Sequence, residues 1–183
     1  HLDPDTAMNP HTWQAALRAA GAGCLAVDLV MTQGVENAFC AVRPPGHHCE
    51  KKTPMGFCFF NNIGVAARHA LKAHGLERVA IIDFDVHHGN GTEDCFAGDD
   101  QVLMCSIFQH PFYPYSGTEK PAANMCNVPL AAGSGGEEFR DAVLQVWTPR
   151  LREFKPQMIF ISAGFDGHYE DDMGGLKLVE KDY

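Results

Sequence analysis

The chain has 183 residues, 45% of them hydrophobic and 20% charged, with 14 Lys and Arg against 23 Asp and Glu for a formal charge of −9. That length suits one domain of roughly 100–200 residues, and the composition excludes disorder, collagen and coiled coil. The acidic balance disfavours non-specific binding to DNA or RNA and favours cationic partners.

The elements alternate between helix and strand. Asn9-Pro10 opens a helix running to about Met31, with Trp13, Leu17, Cys24, Leu25 and Leu29 at helical spacing. Ala38–Val42 reads as a short apolar strand, and Asn62 to His74 as a second helix stopped by Gly75. Arg78–Asp85 is a continuous apolar run of the kind buried on both faces of a parallel sheet, Gln101–Phe108 looks like another, and Gln157–Ala163 reads as a further strand. Ser134 followed by Glu137 has the spacing of a capping box and starts a helix to about Phe154, which Pro149 should kink or end early. The pattern predicts an α/β domain in three αβα layers, its sheet mainly parallel and joined by right-handed crossovers.

The seven cysteines are odd in number, lack any C-x-x-C pair, and several sit in apolar runs such as Phe57-Cys58-Phe59-Phe60. Buried reduced thiols fit this usage, which points to a reducing, cytoplasmic compartment. No stretch reads as a membrane span, and no signal-peptide pattern opens the chain.

Three loops that follow strands carry the polar chemistry: Arg43-Pro44-Pro45-Gly46-His47-His48, Asp83-Phe84-Asp85-Val86-His87-His88-Gly89-Asn90-Gly91, and Ala163-Gly164-Phe165-Asp166. In an α/β sheet the carboxyl ends of strands are where ligands bind. Asp83, Asp85 and His87 alternate along an extended segment and so share a side. Two carboxylates and an imidazole beside an apolar run are costly unless a cation neutralises them. Such a donor set suits a catalytic zinc ion, with Asp166 of a neighbouring strand as third ligand. One D-x-H alone is as well explained by a solvated strand–loop junction; two His-His pairs and a third Asp-ended strand are not.

These segments, with Gly56-Phe57-Cys58-Phe59-Phe60-Asn61-Asn62, resemble the metal-dependent histone deacetylases and the histone deacetylase-like amidohydrolases, in family order from about Phe39 to Gly175. Asn90 and the R-P-P-G-H-H form look like class II. The resemblance implies hydrolysis of the acetamide of N-acetyl-lysine, with Zn²⁺ (Fe²⁺ as the alternative) on Asp85, His87 and Asp166. It makes His47 and His48 the tandem histidines, backed by Asp83 and Asn90 respectively. Either could be the base; His48, backed by a neutral amide, is the choice for acid–base work, with His47 as electrostatic partner. It implies that Phe57 and Tyr113 wall an acyl-lysine tunnel and that the Gly56 carbonyl accepts the substrate N–H. It also implies a potassium site on Asp83, Ser106 and the carbonyls of Asp85, His87 and Ile107, and a second cation site near Phe96, Asp99, Val102 and Asn124.

Acetylpolyamine amidohydrolysis and a non-catalytic module of the same fold are the alternatives. Partners are expected to be acetylated amines, with no nucleic acid or membrane and with oligomerisation open. His69 and His74 read as surface or packing residues. Nothing matches the family's Gly-Gly-Tyr-type loop, and Tyr169 and Tyr183 are poor substitutes for its tyrosine. Residues 1–183 are therefore expected to form one incomplete catalytic domain, short of its N-terminal strand region and catalytic-tyrosine loop and impaired when expressed alone.

Overall fold

Three of the apolar runs become adjacent strands, two of them buried and the third, Met158–Ser162, with Ile159 and Ile161 exposed. The structure, a computed structural model, describes residues 1–32 and 34–183. Its strands are β1 (Val79–Asp83), β2 (Val102–Gln109), β3 (Met125–Leu130) and β4 (Met158–Ser162), all parallel, in the order β3-β2-β1-β4. Asp83 pairs in register with Ser106 of β2 and Ser162 of β4, so the carboxyl ends of three strands finish at one edge. All eight positions of β2 are buried, as a central strand of a parallel sheet requires. The α/β class with a parallel sheet is as the sequence reads.

The chain divides into two compact units, one of residues 1–77 with 90–95, the other of residues 78–89 with 96–183. The second holds the sheet. One face of that sheet packs Ala80, Leu103, Cys105, Ile107, Cys126 and Leu130 against Phe139, Ala142 and Trp147. Burying each large side chain there contributes about 1.5–3 kcal/mol. The covering helix runs as α4 (Gly136–Asp141), a π-helical segment (Ala142–Trp147) and α5 (Thr148–Phe154). Pro149 neither ends nor breaks it. In an unbroken α-helix its ring would collide with the carbonyl of Gln145. The wider π register just ahead, where Thr148 N–H reaches back to Val143 O, avoids this. The cap also differs from expectation by one position: Gly135 is the N-cap, and Glu138 Oε2 accepts its N–H at 2.9 Å.

The first unit holds α1 (Thr12–Thr32), α2 (Asn62–Ala73) and nearly all of α3 (Asn90–Phe96). A Cβ on Gly23 would lie 2.9 Å from the Cβ of Ala66, so the bare backbone lets α1 and α2 approach closely. Asn61 caps α2 by accepting Gly64 N–H at 2.9 Å, and its amide donates to Thr92 Oγ1 at 3.1 Å.

Four expectations need correcting. Ala38–Val42 is not a strand: none of the described strands pairs with it, and Phe39 is 80% exposed. The strand β3 was not foreseen, because Asn127 and Pro129 weaken its pattern. As an edge strand it tolerates the missing proline N–H. The short α3 was missed because Asn90-Gly91-Thr92 reads as a turn. Finally, Thr12–Thr32 is long and apolar enough to cross a membrane by length and composition alone. Its many small residues raise its hydropathy without a bulky apolar run, and Ala16, Ala19, Ala20 and Val27 are buried.

Candidate metal centre

Beyond the ends of β1 and β4, the second unit gathers Asp85, His87 and Asp166. One ligand atom from each lies within 4.8 Å of the others. His87 Nδ1 is 2.9 Å from Asp85 Oδ1 and 3.1 Å from Asp166 Oδ2. The backbone aims both carboxylates. His87 N–H donates to Asp85 Oδ1 at 2.8 Å, and Val86 N–H donates to Asp166 Oδ1 at 2.9 Å. Gly164 is required beside them, since a Cβ there would overlap Asp85 Oδ2.

Burial alone would lower the His87 pKa. Bonds to Asp166 and Asp85 outweigh that and raise it to about 9. The imidazolium thus holds the place where two anionic oxygens demand a positive charge. Two carboxylate oxygens and one imidazole nitrogen, mostly buried, match the donor chemistry of a catalytic zinc site with positions left open. The residues present fit the metal that the sequence implies.

Behind this set lies Asp83, fully buried, whose Oδ1 accepts Asp85 N–H at 3.2 Å. Its register partner Ser106 is also fully buried, and Ser106 Oγ has no hydrogen-bond partner among the described residues. A buried orphan oxygen beside a buried carboxylate is the environment a monovalent cation satisfies. The second expected cation position is different. Asn124 Nδ2 donates to the carbonyls of Phe96, Asp99 and Val102 at 2.8, 3.0 and 2.8 Å, so an amide nitrogen already sits where they converge.

Aromatic rings crowd His87. Tyr113 stands edge-on with ring centroids 6.1 Å apart, but the closer ring is Phe112, stacked at 5.2 Å and 21°. Phe112 was not singled out in the sequence, although its place beside Tyr113 in the His110-Pro111-Phe112-Tyr113 run could have suggested it. Tyr183 follows a short 3₁₀ turn (Glu180–Asp182), with its hydroxyl donating to Phe165 O at 3.4 Å. Burial and the nearby Asp166 carboxylate push its pKa to about 12, keeping the phenol protonated.

The first unit holds the tandem histidines, buried, with ring centroids 4.0 Å apart. His48 Nδ1 donates to Asn90 Oδ1 at 2.8 Å, as the resemblance implies. Asn90 Nδ2 in turn donates to Glu50 Oε1 at 2.8 Å. A carboxylate therefore stands one residue behind the neutral amide, a relay the sequence reading missed although Glu50 follows His48 by only two positions. Gly56 has a φ of +55°, and a Cβ on it would lie 2.5 Å from His48 Cδ2. Only glycine meets both conditions. Phe57, also at positive φ (66°), is half exposed.

A family model described as the histone deacetylase domain matches residues 1–183. The chain is 39% identical to a histone deacetylase-like amidohydrolase of Pseudomonas aeruginosa, over 97% of this chain and 48% of that protein. It is 39% identical to the polyamine deacetylase HDAC10 of Rattus norvegicus, over 94% of this chain and 31% of that one. A crystal structure of the HDA15 HD domain superposes with a TM-score of 0.94 at 36% identity, covering all of this chain and 56% of the other. The chain spans from 12% to 60% of the length of the curated relatives compared with it.

Proposed function

Because the chain belongs to the histone deacetylase family, we propose that the protein hydrolyses the acetamide of N-acetyl-lysine at a centre built on Asp85, His87 and Asp166. The observation that carries this reading is the convergence of those three side chains, each carboxylate fixed by a backbone N–H from the Asp85–His87 loop. They would hold Zn²⁺, or Fe²⁺, which when bound supplies Lewis acidity toward the amide carbonyl and toward water.

The chain's own residues divide the remaining work. Hydrolysing an amide requires removing a proton from water and delivering one to the leaving amine. His48 has the arrangement for both: Asn90 accepts its Nδ1 proton, fixing the tautomer with Nε2 as the base, and Glu50 one bond further back steadies the imidazolium. His47, with its ring against that of His48, modulates that charge. Phe57 and Tyr113 would flank the aliphatic stem of the lysine, and the Gly56 carbonyl would accept the substrate N–H. Asp83 and Ser106 would hold potassium, which offsets buried negative charge behind the metal ligands.

Acetylated polyamines are the second reading, favoured by the likeness to a polyamine deacetylase and by the net charge of −9, which attracts polycations. The test is a turnover panel on the full-length gene product. Faster hydrolysis of acetyl-lysine peptides than of acetylspermidine supports the proposal, the reverse order supports the second reading, and no hydrolysis of either supports a binding module.

A further inference from the structure

In the first unit, Asp28 of α1 meets two histidines of the neighbouring helix: His69 within α2 and His74 at its C-cap. Both rings donate from Nε2 to the same oxygen, Asp28 Oδ1, each at 2.7 Å. The rings stand edge to face, 5.5 Å apart, and the three ligand atoms lie within 4.8 Å of one another. From the sequence these histidines read as surface or packing residues. One carboxylate oxygen can accept from both rings, and the same convergence sets two imidazole nitrogens and that oxygen around one point where a single cation can meet all three. The bonds from His69 and His74 also hold the Asp28 carboxyl below its usual range, in the ionised form that coordinates cations.

We propose that Asp28, His69 and His74 form a second divalent-metal site, taking Zn²⁺ or another borderline first-row cation and fastening α1 to α2. Two imidazole nitrogens and one carboxylate oxygen favour such an ion over Mg²⁺ or Ca²⁺, which take oxygen donors. Neutral rings bind through Nε2 once their proton moves to Nδ1. The ligands come from two helices already held together where Gly23 admits Ala66, so binding orders little new structure. The three side chains are partly solvent-exposed, which gives the ion an entry path and leaves a coordination position for water. The site is structural, and it is independent of the assignment at Asp85, His87 and Asp166.

The test titrates the full-length protein with zinc sulfate against a chromophoric chelator, comparing wild type with His69→Gln, Asp28→Asn and Asp166→Ala. Asp28→Asn keeps a side-chain oxygen to accept both ring protons, so the helix pairing survives. Circular dichroism confirms this before titration. His69→Gln and Asp28→Asn should each bind one equivalent fewer than wild type, or bind it at least tenfold more weakly, with acetyl-lysine turnover unchanged. Asp166→Ala should retain that equivalent, and zinc should raise the melting temperature of Asp166→Ala but not of the double variant with His69→Gln. Equal stoichiometry and affinity in wild type, His69→Gln and Asp28→Asn would overturn the proposal. So would loss of every bound equivalent in Asp166→Ala.

Discussion

The backbone N–H of Val86 donates to Asp166 Oδ1 at 2.9 Å, joining two loops whose residues are 80 positions apart in the chain. Asp166 is thus held by the same loop that carries Asp85 and His87, and the three donors behave as a unit. Gly164 belongs to that unit although it binds nothing. Gly164→Ala places a methyl group on Asp85 Oδ2. The variant should fold and yet lose metal affinity by about 10–100-fold, the cost usual for disturbing a ligand's support. Chelator competition reads this directly, and unchanged affinity would show that Asp85 can move without loss.

His48→Ala should separate chemistry from metal binding. Its Nδ1 is engaged with Asn90 Oδ1 and its assigned work is acid–base, so metal content should stay at the wild-type level. Turnover of acetyl-lysine should fall by about 10²–10⁴-fold, the contribution of a positioned acid or base. Loss of metal together with activity would make His48 a ligand.

Asn90→Leu tests the relay. It removes the acceptor for His48 Nδ1 and the donor for Glu50 at once. Leaving buried polar groups unpaired costs about 1–3 kcal/mol of stability, measurable by chemical denaturation. The pH profile of kcat should also change shape, because the His48 tautomer is no longer fixed. An unaltered profile would show that Asn90 has only a packing role.

His87 predicts how metal affinity depends on pH. Its pKa, raised to about 9 by Asp166 and Asp85 against the effect of burial, means that the metal-free fold prefers the protonated ring. That contribution to stability is fully present below the ordinary histidine value of about 6.5 and is lost as pH rises through about 9. A metal ion competes for the same nitrogen. Affinity should therefore rise by up to about tenfold per pH unit as pH climbs toward about 9 and level off above. Measuring it in the His69→Gln chain keeps the second proposed site from contributing. A flat profile would contradict the assignment.

The sheet's centre was legible because β1 and β2 are unbroken apolar runs, and a buried parallel strand needs nothing else. β4 was legible by the same pattern although it is a terminal strand with Ile159 and Ile161 exposed. β3 was not, since Pro129 is forbidden in central strands and only the tertiary position at an edge excuses it. Ala38–Val42 showed the reverse failure, an apolar pattern that finds no partner strand among the described residues. At the site, ligand types and spacings were visible as Asp85-Val86-His87 and Asp166. The supports were hidden: Glu50 acts through Asn90, Phe112 through stacking, and Gly56 and Gly164 through the absence of a side chain. None of these leaves a periodic signal.

The most direct test of the metal centre is the metal content of the full-length protein, wild type beside Asp166→Ala, with acetyl-lysine turnover measured on the same samples. Asp166 supplies one of the three converging donors and the only one outside the Asp85–His87 loop. The variant should hold one metal equivalent fewer per chain and show no detectable turnover. Wild-type metal content with normal turnover in Asp166→Ala would contradict the account.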